Sequence, residues 1–502
     1  MLTFVYALPI LCLLICLLIL KLSTIKSSII AFFVTLVIFT VTFKPGIFGT
    51  VISITKGYAL ALFVLLIIWG AMFLYNMVNE TKALSVINRN IEMAINDKFY
   101  QFLFLSWIFA SFLQGIAGFG VPVIVVASIL IALGFDPVSS ACSVLIGHSW
   151  SITFGSMGAS IFAIDMVTRV PISEIVRYMA LFGTIGMLST GLAVCFLYGG
   201  LKYMAKGLPF ILAVSIIMSI VLNVLARIGM MSVIGLLTGL SGVVAGFFIS
   251  KLREKKSEPT RLYSAELNLF EAILPYLLIV VFSVTFFILN PTLTIDFSFP
   301  GYTTQLGYVV PYEESYVSLN VLKSPITVIL LSSLIGSIVF YKKKTLNVSV
   351  AKSIAVKTVK KCIPTTITLL FLLSMTVMMI DSGMIEHIAV ALANATNTAY
   401  PLIAPFIGAL GSFITGSNTN SNIIFGSLQE AAANSLGLQA VIMCAVQSVG
   451  GSVGGPLSPT VVSLSAAATN AQDNESQIYR KMILPMMLSV LLLGIANLFI
   501  IS

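Results

Sequence analysis

Phe413 to Asn422 reads FITGSNTNSN, and the apolar runs on either side of it are long enough to lie in a membrane. Thr415 to Asn422 holds one glycine, two serines, two threonines and three asparagines. An unpaired backbone polar group is heavily penalised in hydrocarbon. Irregular polar chain at membrane depth therefore survives only inside protein or beside a water-filled cavity. The stretch is either an aqueous loop between two helices or a polar break held within a bundle, and the rest of the chain has to separate the two.

The 502 residues are 58% apolar and 9% charged, with a mean hydropathy of +1.07. Ordinary globular domains are about 25% charged. This composition indicates an all-α polytopic membrane protein and excludes a soluble enzyme. The net charge of +9 sits in short loops, as the positive-inside bias requires. No Lys/Arg arm interleaved with aromatics points to nucleic acid. The six cysteines (12, 16, 142, 195, 362 and 444) form no CxxC pair or zinc spacing and read as buried apolar residues. His148 and His387 are too few for a histidine metal site. There is no GxxxxGK[ST] and no HExxH, so ATP-driven transport and zinc proteolysis have no support. No cofactor is expected. The first apolar run, 2–20, lacks a basic leading segment and reads as a retained transmembrane helix.

Runs of sufficient length follow at 27–43 and 57–78. Residues 80–98 place Leu84, Ile87, Ile91 and Ala94 on one helical face, which describes an amphipathic helix. Two short arms, 99–113 and 121–134, flank LQGIAGFGV, the pattern of a hairpin turned at membrane depth. The run 138–165 is interrupted by GHSWSITFGSMG (147–158). Spans at 178–200, 207–226 and 229–250 lead to the basic loop 251–267. After span 268–290 comes an external loop, 291–322, with room for short strands. Spans 324–341 and 362–381 lead to a second amphipathic segment, 383–398, with Ile385, Ile388, Leu392 and Ala395 on one face. A second hairpin (401–435), a second broken run (438–469, interrupted at 448–459) and a last span, 482–501, complete the chain.

The order thus recurs. FLQG at 112–115 matches FITG at 413–416, and ACSV at 141–144 echoes MCAV at 443–446. Loop charges put 80–98 inside and 383–398 outside. The fold expected is two inverted repeats, each with a re-entrant hairpin (99–134 and 401–435) and a discontinuous helix (138–165 and 438–469). The repeats would occupy 1–200 and 268–502, with linking spans and the basic loop at 201–267.

Helix breaks expose N–H groups and positive dipole ends to anions, and carbonyls to cations. The residues expected to bind substrate or ion are Gln114, Gly115, Gly118 and Gly120 at the first tip, and His148, Ser149, Gly155 and Gly158 in the first broken helix. At the second tip they are Thr415, Gly416, Ser417, Asn418, Thr419, Asn420 and Asn422, and in the second broken helix Gly451, Gly454 and Ser458. Ser417, Asn418 and Thr419 form a candidate Na+ site. His148 is either a titrating group or a neutral ring bonded to a carbonyl. Asp165, Asp381, Glu386 and His387 read as solvated span ends, and Trp107 and Trp150 either line a cavity or pack.

At FLQGIAGFGVPV (112–123), LGFDP (133–137), FGSMG (154–158), PFIGALGSFITGSNTNSN (405–422), VGGSVGG (449–455) and LSP (457–459), the chain resembles the L-lactate permease family. The resemblance implies a carrier in the bacterial inner membrane. Its substrate would be a small organic anion, L-lactate or a related 2-hydroxymonocarboxylate such as glycolate, taken up with protons. It departs from the family pattern, which carries an acid at Gln114, Asp at Asn418, an amide at His148 and a basic residue near Gly455. These departures open sodium coupling, or another carboxylate, as an alternative. The partners expected are the anion, H+ or Na+ and the bilayer, with a homodimer as a candidate assembly. A channel or a membrane-embedded enzyme fits less well: the polar residues cluster at two places, and no Ser/Lys or His/Asp constellation lies inside the spans.

Overall fold

The computed structural model describes residues 2–20, 22–92, 95, 97–116, 118, 120–253, 267–289, 291–322 and 324–501. Ten helical runs among the described residues are long and apolar enough to cross a membrane, which makes the protein polytopic and nearly all helical. The chain opens with α1 (Leu2–Leu18), α2 (Thr24–Ile38) and the long α3 (Gly46–Glu80). The apolar pattern at 57–78 marks only the later part of α3.

The amphipathic segment 80–98 is represented by α4 (Ala83–Glu92), whose Leu84 and Ile87 are buried against the rest of the protein. The side chains of Ile91 and Ala94 lie outside the description. Next, α5 (Lys98–Leu103) runs through a wide turn at Phe104–Phe109 into α6 (Ala110–Ile116), and α7 (Val121–Ala132) follows the glycine-rich stretch.

α8 (Pro137–Gly147) is N-capped by Asp136, which accepts from the Ser139 N–H at 2.8 Å. The helix ends at His148, and two short 3-10 turns lead to α9 (Ala159–Asp165). The spans expected at 178–200 and 207–226 are one 57-residue run, α10 (Ile172–Ile228), broken only at Gly199–Gly200. Then come α11 (Ile234–Arg253) and α12 (Leu269–Leu289). Most of the basic loop 251–267 lies outside the described residues.

Beyond α12, β1 (Thr294–Phe299), β2 (Tyr302–Thr303), β3 (Val309–Val310) and β4 (Glu313–Asn320) form two antiparallel pairs, β1 with β4 and β2 with β3. This sheet packs on α3. α13 (Pro325–Lys342) and α14 (Val348–Asp381) lead to α15 (Met384–Thr396). The buried face of α15 is Met384, Ile385, Ala389 and Ala393, while Ala395 is exposed, so the register differs from the apolar face expected there.

Asp381 is not a solvated span end. It is one of two carboxylates in an ionic cluster around a buried lysine. Lys56 of α3, 1% exposed, places its ammonium 3.0 Å from Glu313 and 3.7 Å from Asp381, and 4.9 Å from the Tyr316 ring centre. Ser53 and Tyr302 donate to Asp381 Oδ2 at 2.6 and 3.2 Å. A charge leaves water only when paired and hydrogen-bonded, so the cluster pins the sheet to the ends of α3 and α14. Lys56 lay just outside the expected span and gave no signal in the hydropathy.

The last third holds α16 (Tyr400–Thr415), α17 (Asn418–Ser435), α18 (Ala440–Gly454), α19 (Pro459–Ala468) and α20 (Glu475–Ile501). Two expected interruptions are narrower here. FITGSNTNSN is helical except at Gly416 and Ser417. Gly416, at φ +69°, takes the left-handed turn that closes α16, and Ser417 caps α17 by accepting from the Asn420 N–H. The break expected at 448–459 is confined to 455–458, because α18 stays helical to Gly454. Its glycines serve close packing: a β-carbon at Gly450 would lie 2.3 Å from the Pro405 carbonyl oxygen, and one at Gly454 2.3 Å from Ala409 Cβ.

Candidate functional site

The breaks meet at one cavity of about 440 Å³. Asn418 to Asn420, the first turn of α17, lie on its wall with Gly118 and Gly120 before α7, and Thr460 and Val461 in α19. Each of these three helices begins at the cavity, so each directs its positive dipole end there. The first N–H groups of a helix have no intrahelical acceptor. Against them lie the ends of α8 at His148, of α6 beside Gln114 and of α16 at Thr415. Among the described residues lining the cavity there is no Asp, Glu, Lys or Arg, and His148 is the only titratable side chain.

A hydrogen-bonded set holds the second tip against the first broken helix. Asn418 Nδ2 donates to Thr153 Oγ1 at 3.1 Å, and Asn418 Oδ1 accepts from Ser412 Oγ at 3.3 Å. Thr153 Oγ1 in turn donates to the Ser448 carbonyl at 2.8 Å, and the Thr153 N–H donates to Ser452 Oγ at 2.9 Å. Ser452 Oγ donates to the Ser149 carbonyl at 2.5 Å, so the two broken helices are laced together. At the first tip, the Gly118 N–H donates to Ser156 Oγ at 2.8 Å. Ser156 and Met157 hold left-handed φ of 48° and 56°, a strained turn that presents Ser156 to the tip. A β-carbon at Gly155 would lie 2.5 Å from Gln114 Nε2, and one at Gly451 2.2 Å from Asn418 Oδ1. These two glycines let the tips approach their broken helices.

Of the residues expected at the site, Gln114, Gly118, Gly120, His148, Gly155, Thr415, Gly416, Ser417, Asn418, Thr419, Asn420 and Gly451 line this cavity. The others stand behind it. Gly115 packs on the Gly235 backbone, Gly158 faces the Met231 carbonyl and Gly454 faces Ala409. Ser149 Oγ is turned to the Ile146 carbonyl. Asn422 Nδ2 bonds the Ser160 carbonyl and Ser448 Oγ, both at 2.9 Å. Ser458 Oγ pairs with Thr460 Oγ1 at 3.1 Å.

Each of the three candidate Na+ ligands lines the cavity and holds one hydrogen bond there: Ser417 Oγ with the Asn420 N–H, Asn418 Oδ1 with Ser412, and Thr419 Oγ1 with Ser160. Trp107 and Trp150 are fully buried and pack. Ser156, Ser160, Thr365, Thr368 and Thr460 also line the cavity. Sequence reasoning passed over them. The signal for Thr365 and Thr368 was the run PTTIT (364–368), polar residues beside a proline within a span.

These features define a multi-pass helical membrane protein with a polar cavity among interrupted helices. The chain belongs to the L-lactate permease family: the family model described as L-lactate permease matches residues 3–502. The L-lactate permease of Streptococcus iniae is 30% identical over 390 residues, covering 76% of this chain and 80% of that protein. The L-lactate permease of Escherichia coli K12 is 27% identical over 472 residues, covering 87% and 84%. The glycolate permease GlcA of the same strain is 25% identical over 480 residues, covering 86% and 83%. Among solved structures, the Alcanivorax borkumensis YdaH transporter aligns with 89% of this chain and 87% of its own at 14% identity, with a TM-score of 0.47. Members of the family are permeases, so this protein is a transporter and not an enzyme.

Proposed function

We propose that the protein is a secondary carrier importing a small organic anion, L-lactate or a related 2-hydroxymonocarboxylate, by symport with a proton. The observation that carries this reading is the convergence of three helix N-termini, those of α7, α17 and α19, on one uncharged polar cavity. Such ends favour a carboxylate. Hydroxyl and amide groups from Ser156, Thr460, Gln114 and Asn420 stand beside them and suit a 2-hydroxyl. The names of the relatives above agree in substrate class.

The same reading treats residues 1–200 and 268–502 as inverted repeats joined by 201–267, with the turns at 116–121 and 415–418 as re-entrant tips. The supporting observation is the recurring order of helix, tight break, helix and 3-10-interrupted helix in both halves. Lysines 342–344 at the end of α13 and lysines 352, 357, 360 and 361 in the first half of α14 form a basic stretch, which sets that side inside. The cavity borders α14 at Thr365 and Thr368, one to two turns beyond Lys361.

Sodium symport is the second reading. It is favoured by the many hydroxyl and amide oxygens on the wall. Uptake of labelled L-lactate into proteoliposomes tests both. Accumulation under an inward proton gradient supports the first reading, and accumulation only with sodium supports the second. No uptake under either gradient overturns the substrate assignment.

A further inference from the structure

Resting on the carrier reading above, we infer that His148 is the group that carries the coupling proton and the counter-charge that the bound carboxylate meets. The cavity holds no fixed charge among its described lining residues. A carboxylate entering it would be unneutralised, and an anion removed from bulk water without a partner is strongly disfavoured. His148 is the one lining side chain that can acquire a positive charge by taking a proton.

The geometry decides which nitrogen acts. His148 Nδ1 lies 2.5 Å from the Val144 carbonyl oxygen, one turn back on its own helix. A carbonyl only accepts, so Nδ1 carries a hydrogen in both charge states. Protonation and deprotonation are left to Nε2, the nitrogen free to meet the cavity. With Nε2 bare, the ring is neutral. With Nε2 protonated, it donates a charge-assisted bond to a carboxylate oxygen. One proton and one monocarboxylate anion then cross together with no net charge, and the proton leaves Nε2 when the anion leaves.

Among the described residues no other ionisable group faces His148 from the elements packed on α8. Lys361, one turn before Thr365 on α14, lines an adjoining pocket with Thr365 and Leu464 and holds its ammonium 5.0 Å from the Tyr75 ring centre. α6, α7, α19, the wide turn at 104–109 and the 3-10 turn at 149–154 all pack on α8 or continue it, and none carries a titratable side chain. α10 passes this level with Gly183 against Phe154 and Gly186 against Trp150, and its residues 179–194 include no titratable type. On α20 the ionisable residues lie between Glu475 and Lys481, and Lys481 bonds Ser139 at the far end of α8, the end that Asp136 caps. Cys142 of α8 is turned to the Ile478 carbonyl.

The test is calorimetric binding of L-lactate to the purified full-length protein in buffers of different ionisation enthalpy, across pH, for wild type, His148→Gln and His148→Lys. Wild type is expected to take up one proton per lactate above the histidine range and none well below it. His148→Gln should bind at least about tenfold more weakly and take up no proton. His148→Lys, with a fixed charge, should bind with an affinity independent of pH and fail to accumulate lactate under a proton gradient. Proton-free binding by wild type, unaltered proton uptake in a folded His148→Gln, or a folded His148→Lys that does not bind overturns the inference. If wild type binds no 2-hydroxymonocarboxylate at any pH, it is the carrier reading that fails.

Discussion

Replacing Asn418 by alanine removes two side-chain hydrogen bonds, Nδ2 to Thr153 Oγ1 at 3.1 Å and Ser412 Oγ to Oδ1 at 3.3 Å. Thr153 keeps its bond to the Ser448 carbonyl, whereas Ser412 loses its acceptor. Side-chain hydrogen bonds inside membrane proteins average about 0.6 kcal/mol and reach about 1.7 kcal/mol. The pair, with one orphaned hydroxyl, therefore holds the tip against the broken helix with about 1–3 kcal/mol, or roughly 5- to 150-fold in an equilibrium constant. Because both bonds lie at the mouth of α17, the loss falls on the cavity. Labelled L-lactate uptake by Asn418→Ala in proteoliposomes should fall by at least about fivefold, while size-exclusion and thermal unfolding profiles stay near those of wild type. Asn418→Asp should be no better, because Thr153 Oγ1 has already given its hydrogen to Ser448 and would meet a carboxylate oxygen with a lone pair. Wild-type uptake in Asn418→Ala, with normal folding, would return this tip to an ordinary turn.

Gly451→Ala, whose β-carbon would fall 2.2 Å from Asn418 Oδ1 and 2.8 Å from Ser412 Oγ, should impair uptake as Asn418→Ala does. The double variant should be little worse than either single one, since both break the same contact; additive losses in uptake would show that the two act separately. Lys56→Met leaves Asp381 buried with hydroxyl partners only, and should cost about 3–5 kcal/mol of stability. A thermal-shift assay in detergent reads this, and an unchanged midpoint would contradict the buried-cluster account. Gly115→Ala presses a β-carbon to 2.6 Å from the Gly235 backbone, so it should lower the unfolding midpoint without a specific loss of lactate affinity in the protein that does fold.

Much of this architecture is legible in the sequence, because hydropathy and glycine clustering report what hydrocarbon demands of a backbone. The unwinding after His148 is visible in GHSWSITFGSMG, where polar residues and glycines coincide. VGGSVGG carries the same signal yet stays α-helical up to Gly454, because small residues serve close packing as well as they serve a break. Only the approach of Pro405 and Ala409 to α18 separates the two uses. The cavity wall was only partly readable for a similar reason. Ser156 and Thr460 differ from other hydroxyl residues only by which way their turns face. Asn422 and Ser149 look like ligands in sequence, but their polar atoms are used between helices. The Lys56–Asp381 cluster spans 325 positions of chain, and no local pattern could pair those residues.

The central claim is that the anion sits in the cavity between the two tips. Its most direct test is substrate protection of a single cysteine at Asn420, on the cavity wall, in a chain whose six native cysteines have been replaced. The rate of modification by a small thiol reagent should fall in a saturable way with L-lactate and with glycolate, and stay unchanged with a neutral amide of the same size. A modification rate indifferent to L-lactate, in protein that still transports it, would place the substrate elsewhere and contradict the account.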